Sequence, residues 1–159
     1  VELKNIQTNL NATILYVTHD QAEATTLADK IGVLKEGHLV QIGTPEEIYE
    51  NPNSIYVSQR LGSPKINILP GTLLGMNDVP TFGIRPENIK IGNGNHSAKI
   101  ISIENLGSET VVALNFKDQE ILVSIQGNYK SSINETINFD INNEKVLKFD
   151  QEGNRIYER

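Results

Sequence analysis

The chain has no cysteine among its 159 residues, so a disulfide framework and a thiolate metal site are both excluded. Aromatic residues make up only 6%, and 14 Lys+Arg stand against 20 Asp+Glu for a net charge of −6. An acidic chain poor in stacking rings lacks what binds a nucleic-acid backbone, so no nucleic-acid partner is expected. No apolar run approaches the roughly 18 residues that a membrane-spanning helix needs. Nowhere does a glycine-rich loop precede Lys and Ser/Thr, so the usual phosphate cradle is missing. The start, Val1 in VELKNIQTNL, shows no charged-then-apolar leader pattern and reads as the middle of a longer protein.

What is present suffices for a packed core: 38% of residues are hydrophobic and 21% charged. The patterning changes near residue 65. Before it, Leu3, Ile6 and Leu10 stand at helical intervals, and Ile14-Leu15-Tyr16-Val17 reads as a strand buried on both faces of a parallel sheet. Asp20 and Glu23 stand three apart, the spacing of an N-cap and its N3 carboxylate. Ala24, Leu27, Ala28 and Ile31 would continue that helix as an apolar stripe. Glu36-Gly37 suits a hairpin between Ile31–Leu34 and His38–Ile42. Thr44-Pro45-Glu46-Glu47 opens a short helix that Asn51-Pro52 ends, and a further helix is expected over Ile55–Leu61. After the breaker Gly62-Ser63-Pro64, short strands follow one another with no helix between, separated by turn chemistry at Asn93-Gly94, Asp118-Gln119, Asn142-Asn143 and Glu152-Gly153. Ile137, Phe139 and Ile141 alternate with Thr136, Asn138 and Asp140, which predicts one buried face, and Ile121, Val123 and Ile125 repeat the pattern. Such strands suggest a small closed or partly open barrel.

Of the chemical candidates, His19 stands out, because it sits where a buried strand is expected to end and a helix to begin. Ligands bind outside the carboxyl ends of parallel strands. A histidine there can donate to a phosphate or position a water, or can simply be structural, and Asp20 has a sufficient role as the N-cap. His19, His38 and His96 lie too far apart in sequence to suggest a metal site, and none has a second ligand at i+3 to i+5. Thr18-His19-Asp20 are adjacent and converge poorly on one substrate atom, which argues against a triad hydrolase. Arg85 and Glu87 suit a structural ion pair or an interface.

The stretch from Ile14 to Asn67 resembles the end of the ATPase subunit of ATP-binding-cassette importers, in the carbohydrate and glycerol-phosphate uptake group. The run Tyr16-Val17-Thr18-His19-Asp20-Gln21, then Glu23-Ala24 and Thr26-Leu27-Ala28-Asp29, carries it most specifically. Farther on, Gly83-Ile84-Arg85-Pro86-Glu87 and Glu104-Asn105-Leu106-Gly107-Ser108-Glu109 resemble the transport-associated OB domain of that group. The resemblance implies an α/β piece of a RecA-like nucleotide domain over residues 1–62 and an all-β, OB-like regulatory and dimer-contact domain over 63–159. It implies that His19 is the switch histidine that contacts the γ-phosphate of ATP and orders the attacking water. The Walker A loop, signature loop, Walker B carboxylates and catalytic Glu would lie before Val1. ATP and magnesium would thus be cofactors of the complete subunit, with none held tightly by this chain, and this chain alone would be inactive. Its partners would be a second copy and the permease subunits, at the inner face of the cell membrane. Thr25 stands where the group usually has Met, and the stretch from Pro70 to Thr81 is shorter than usual. Two other readings stay open: a stand-alone module sensing a small oxyanion, and a His-dependent hydrolase.

Overall fold

In the computed structural model, which describes residues 2–157, the chain divides into two compact units, Val1–Gly62 and Ser63–Arg159. In the first, α1 (Glu2–Leu10) leaves Leu3, Ile6 and Leu10 on its surface, since no core lies beneath its apolar face. Residues 12–18 follow outside any helix or strand. The strand expected at Ile14–Val17 is therefore not formed, and Leu15 and Val17 are 93% and 83% exposed. The reason is physical: a parallel strand exists through its neighbours, and among the described residues none pairs with this segment.

Helix α2 (Gln21–Leu27) begins where the sequence places it, on an Asp20 cap. It ends sooner than its apolar stripe suggests: Ala28 caps it in extended conformation, and Ile31 already belongs to a strand. That strand, β1 (Ile31–Lys35), pairs antiparallel with β2 (His38–Gly43) through a two-residue turn. Both turn residues have positive φ, Glu36 at 49° and Gly37 at 81°, the type I′ geometry that matches strand twist. Next, α3 (Pro45–Glu50) opens on a complete capping box: Thr44 Oγ1 accepts from Glu47 N at 3.1 Å, and Glu47 Oε2 accepts from Thr44 N at 2.8 Å. Removing that cap by Thr44→Ala should cost about 1 kcal/mol, measurable as a lowered denaturation midpoint. The segment after α3 is fixed to β2, with Asn53 Nδ2 donating to Val40 O at 2.7 Å and Gln41 Nε2 donating to Asn51 O at 3.0 Å. α4 spans only Ile55–Ser58, shorter than expected, and Val57 and Leu61 join Val33 and Ile48 in a small core.

The second unit is nearly all β, consistent with an OB-like domain. Its strands are β3 (Asn67–Pro70), β4 (Thr81–Ile84), β5 (Ile89–Asn105), β6 (Glu109–Phe116), β7 (Gln119–Gln126), β8 (Thr136–Ile141), β9 (Leu147–Phe149) and β10 (Arg155–Ile156). They form two four-stranded antiparallel sheets, ordered β10-β9-β4-β3 and β7-β6-β5-β8. One core draws on both, with Leu69, Phe82 and Ile84 from the first and Ile100, Leu114, Ile121 and Phe139 from the second. Each such side chain contributes roughly 1.5–3 kcal/mol through burial. On β8, Phe139 and Ile141 are buried and Ile137 half-buried, while Thr136, Asn138 and Asp140 face solvent, in keeping with the alternation.

Two turns lie elsewhere than the sequence suggests. Asn93-Gly94 is no turn: β5 runs through it, and β8 pairs on both sides, Ile91 and His96 each facing Phe139 across a bulge. Gly94 is needed there, because a Cβ would come within 1.9 Å of Phe139 O. The β6–β7 turn falls one residue early, at Lys117 and Asp118, whose φ of 51° and 63° make it a second tight hairpin. A buried amide joins the sheets: Asn67 Oδ1 accepts from Leu122 N at 2.7 Å while its Nδ2 donates to Leu122 O at 2.8 Å and to Ile84 O at 3.2 Å. All three bonds run to backbone groups, which satisfies an otherwise costly buried polar side chain.

Candidate functional site

His19 lies at the corner between segment 12–18 and α2, and it is exposed. Its two neighbours are held. The Asp20 carboxylate accepts from Ala22 N at 2.7 Å and Glu23 N at 3.0 Å through one oxygen, satisfying two of the orphan amides at the helix start. Thr18 Oγ1 accepts from Asp20 N at 3.0 Å and donates to Glu23 Oε2 at 2.6 Å. Tyr16 O–H donates to the same carboxylate oxygen at 3.1 Å. That bond to Glu23, reinforced by the carboxylate's charge, favours the neutral phenol and raises the Tyr16 pKa. The side chain of His19 forms no hydrogen bond with any described residue, so its ring is free to reach outward from a fixed backbone. At the far end of α2, Lys4 Nζ donates to Asp29 Oδ1 at 2.6 Å and to Leu27 O at 3.4 Å, tying α1 to the helix's last turn.

The other singled-out residues have surroundings of their own. His38 Nδ1 lies 3.0 Å from Glu36 O, within the β1–β2 turn. His96 is half-buried against Phe116 and Phe139, with ring centroids 5.3 Å away in each case. Among the described residues no group of three or more His, Asp or Glu side chains could hold a metal ion. Arg85 is only 4% exposed and serves the interior of its unit, whereas Glu87 is exposed. Thr25 is exposed on α2 and donates to Gln21 O at 2.8 Å, so a residue other than Met there leaves no void. Sequence reasoning missed the Tyr16–Thr18–Glu23 cluster, treating Glu23 only as a capping partner. The available signal was Tyr and Thr at alternate positions before the corner, both within reach of the N3 carboxylate.

Residues 82–149 match the TOBE domain family, a stretch that runs from β4 to β9. The chain is also similar to longer proteins. It is 35% identical over 175 aligned residues to the sn-glycerol-3-phosphate import ATP-binding protein UgpC of Brucella abortus, which covers 98% of this chain and 50% of that protein. It is 36% identical over 143 residues to the xylose/arabinose import ATP-binding protein XacK of Haloferax volcanii, covering 74% of this chain and 37% of that one. An ABC transporter ATP-binding protein of Sinorhizobium fredii is 36% identical over 149 residues. The second unit therefore carries a TOBE domain. The chain belongs to the ATP-binding proteins of ABC importers and corresponds to the part of them that includes this domain. It spans about half the length of the relatives with which it aligns most fully.

Proposed function

We propose that this chain is the C-terminal part of the ATP-hydrolysing subunit of an importer for a sugar or a glycerol phosphate. The observation that carries the reading is an alignment over 98% of the chain to a glycerol-phosphate import ATP-binding protein, combined with the free His19 ring on its fixed corner. Residues 1–62 complete a RecA-like nucleotide domain, and residues 63–159 form its regulatory domain. In the complete subunit His19 donates to the γ-phosphate of ATP and orders the attacking water. A preorganised donor of this kind suits phosphoryl transfer, where charge spreads over the transferred group. ATP binds between two copies of the subunit, at the inner face of the membrane, and closure drives the permease subunits. The acidic surface and the absence, among the described residues, of any helix long and apolar enough to cross a membrane accord with a peripheral subunit.

The residues of this chain do not by themselves fit a magnesium-nucleotide site. There is no phosphate loop in the sequence and no ligand cluster among the described residues, so no step is assigned to a metal here. The purified chain is accordingly expected to show no ATP turnover above background in a phosphate-release assay; turnover abolished by His19→Ala would overturn that expectation. The function itself is tested by purifying the longer protein from membranes with its permease subunits and following ATP hydrolysis with a panel of solutes delivered by their binding protein. Stimulation by glycerol 3-phosphate or a sugar is the expected result. Hydrolysis indifferent to permease and solute would refute the importer reading.

A further inference from the structure

The corner at His19 contains more than a helix cap requires. At α3 the same chain closes its capping box directly: the N3 carboxylate of Glu47 accepts from the backbone N–H of its own N-cap, Thr44. At α2 the equivalent carboxylate, Glu23, does not accept from Asp20 N. The hydroxyl of Thr18 is spliced between them, accepting from Asp20 N and donating to Glu23 Oε2. The result is a relay that encloses His19 between its two flanking residues. Thr18 is held through its side chain, Asp20 through its backbone amide and through its carboxylate on the first turn of α2. Tyr16, two residues before Thr18, is bound to the same oxygen, so the segment entering the corner is secured at two alternate positions. The side chain of His19, between Thr18 and Asp20, makes no hydrogen bond with any described residue. If stability of a seven-residue helix were the only need, the direct box would supply it with one ordered side chain fewer.

We propose that Glu23 is a positioning residue for His19: by gathering Thr18 and Tyr16 onto one carboxylate oxygen it fixes the backbone on which the imidazole stands. This rests on the assignment of His19 to the γ-phosphate made above. Glu23 touches neither nucleotide nor water in this role. It lowers the number of directions the corner can take, so that the imidazole donor meets the phosphoryl group without reorganising, and misplacement by about 1 Å is enough to cost of order 100-fold in rate. The raised Tyr16 pKa is a signature of the same carboxylate and gives a second way to observe it.

The test uses the longer ATP-hydrolysing protein assembled with its permease, in four forms: wild type, His19→Ala, Glu23→Ala and the double variant, with Thr18→Val as an isosteric cut of the relay from the other side. Glu23→Ala should lower kcat on the order of 10-fold with KM for ATP nearly unchanged, and Thr18→Val should do the same. Glu23→Asp, which shortens the reach to Thr18 and Tyr16, should not restore the rate. Added to His19→Ala, the Glu23 change should cost nothing further, because a residue that acts only through His19 has nothing left to position. In the present chain, NMR titration should find the Tyr16 phenol raised in wild type and lower in Glu23→Gln, where the carboxylate's charge is gone. A His19→Ala protein with undiminished kcat overturns both the site and the positioning role. A lowered kcat in His19→Ala beside an unchanged one in Glu23→Ala, or costs that multiply in the double variant, overturns the positioning role alone.

Discussion

His19→Ala in the complete, permease-bound protein is expected to lower kcat by ~100-fold or more, the loss that follows removal of one preorganised donor from a developing charge. In free-energy terms that is about 2.7 kcal/mol of transition-state stabilisation. The structure makes the experiment clean. His19 is exposed and bonded to no described residue, and its neighbours are held by groups that the substitution leaves in place: the Asp20 carboxylate on α2 and the Thr18–Glu23 bond. An exposed side chain without hydrogen bonds costs within about 0.5 kcal/mol of stability when truncated, so lost turnover could not be laid to unfolding. KM for ATP should change far less than kcat, since the rest of the nucleotide site is untouched. A kcat within a few-fold of wild type would remove His19 from the mechanism.

The second large effect is on stability. Phe139 is fully buried on β8, its ring meeting Phe116 edge-on at 5.1 Å and 89° and lying 5.3 Å from His96. Phe139→Ala removes the largest side chain of the inward face and leaves a cavity that the surrounding strands cannot close, because β8 is held to β5 on both sides of the bulge. The expected cost is 3–5 kcal/mol, about the range for buried phenylalanines, with the lost ring pairs included. Against a typical total of about 5–15 kcal/mol, this should shift the denaturant midpoint of the β unit strongly or prevent folding. Asn138→Ala, on the solvent face one residue away, should leave the midpoint nearly unchanged. Equal midpoints for wild type and Phe139→Ala would mean that this face is not core.

These particulars show where the sequence was legible. The start of α3, the Glu36-Gly37 turn and the alternation on β8 depend on residues a few positions apart, and chain-local chemistry decides them. The Asp20 cap was legible for the same reason, and it placed the corner that carries His19. Ile14–Val17 failed because a buried strand is a statement about partners, and four apolar residues do not carry their partners with them. Asn93-Gly94 failed in the opposite way. Its turn chemistry is real, but a ladder on both sides absorbs the extra residues as a bulge. The Asn67 latch joins residues 55 positions apart, and no local pattern announces it. At the site, Glu23 was visible as a cap, but its grip on Thr18 and Tyr16 depends on the path of the chain through the corner.

The long strand β5 also bears on how the β unit assembles. Its C-terminal part pairs with β6, its immediate successor, and β6 with β7, so this meander can zip from its tight turns outward with little chain entropy lost. The ladder to β8 is different, for it brings Lys99 against Thr136 only after the intervening hairpins have taken shape. Non-local pairings of this kind form late. Gly94, whose Cα must slide against the backbone of Phe139, is engaged only at that closing step. A destabilising change on β8 should then speed unfolding more than it slows refolding, whereas one in the β6–β7 hairpin should act chiefly on the refolding rate.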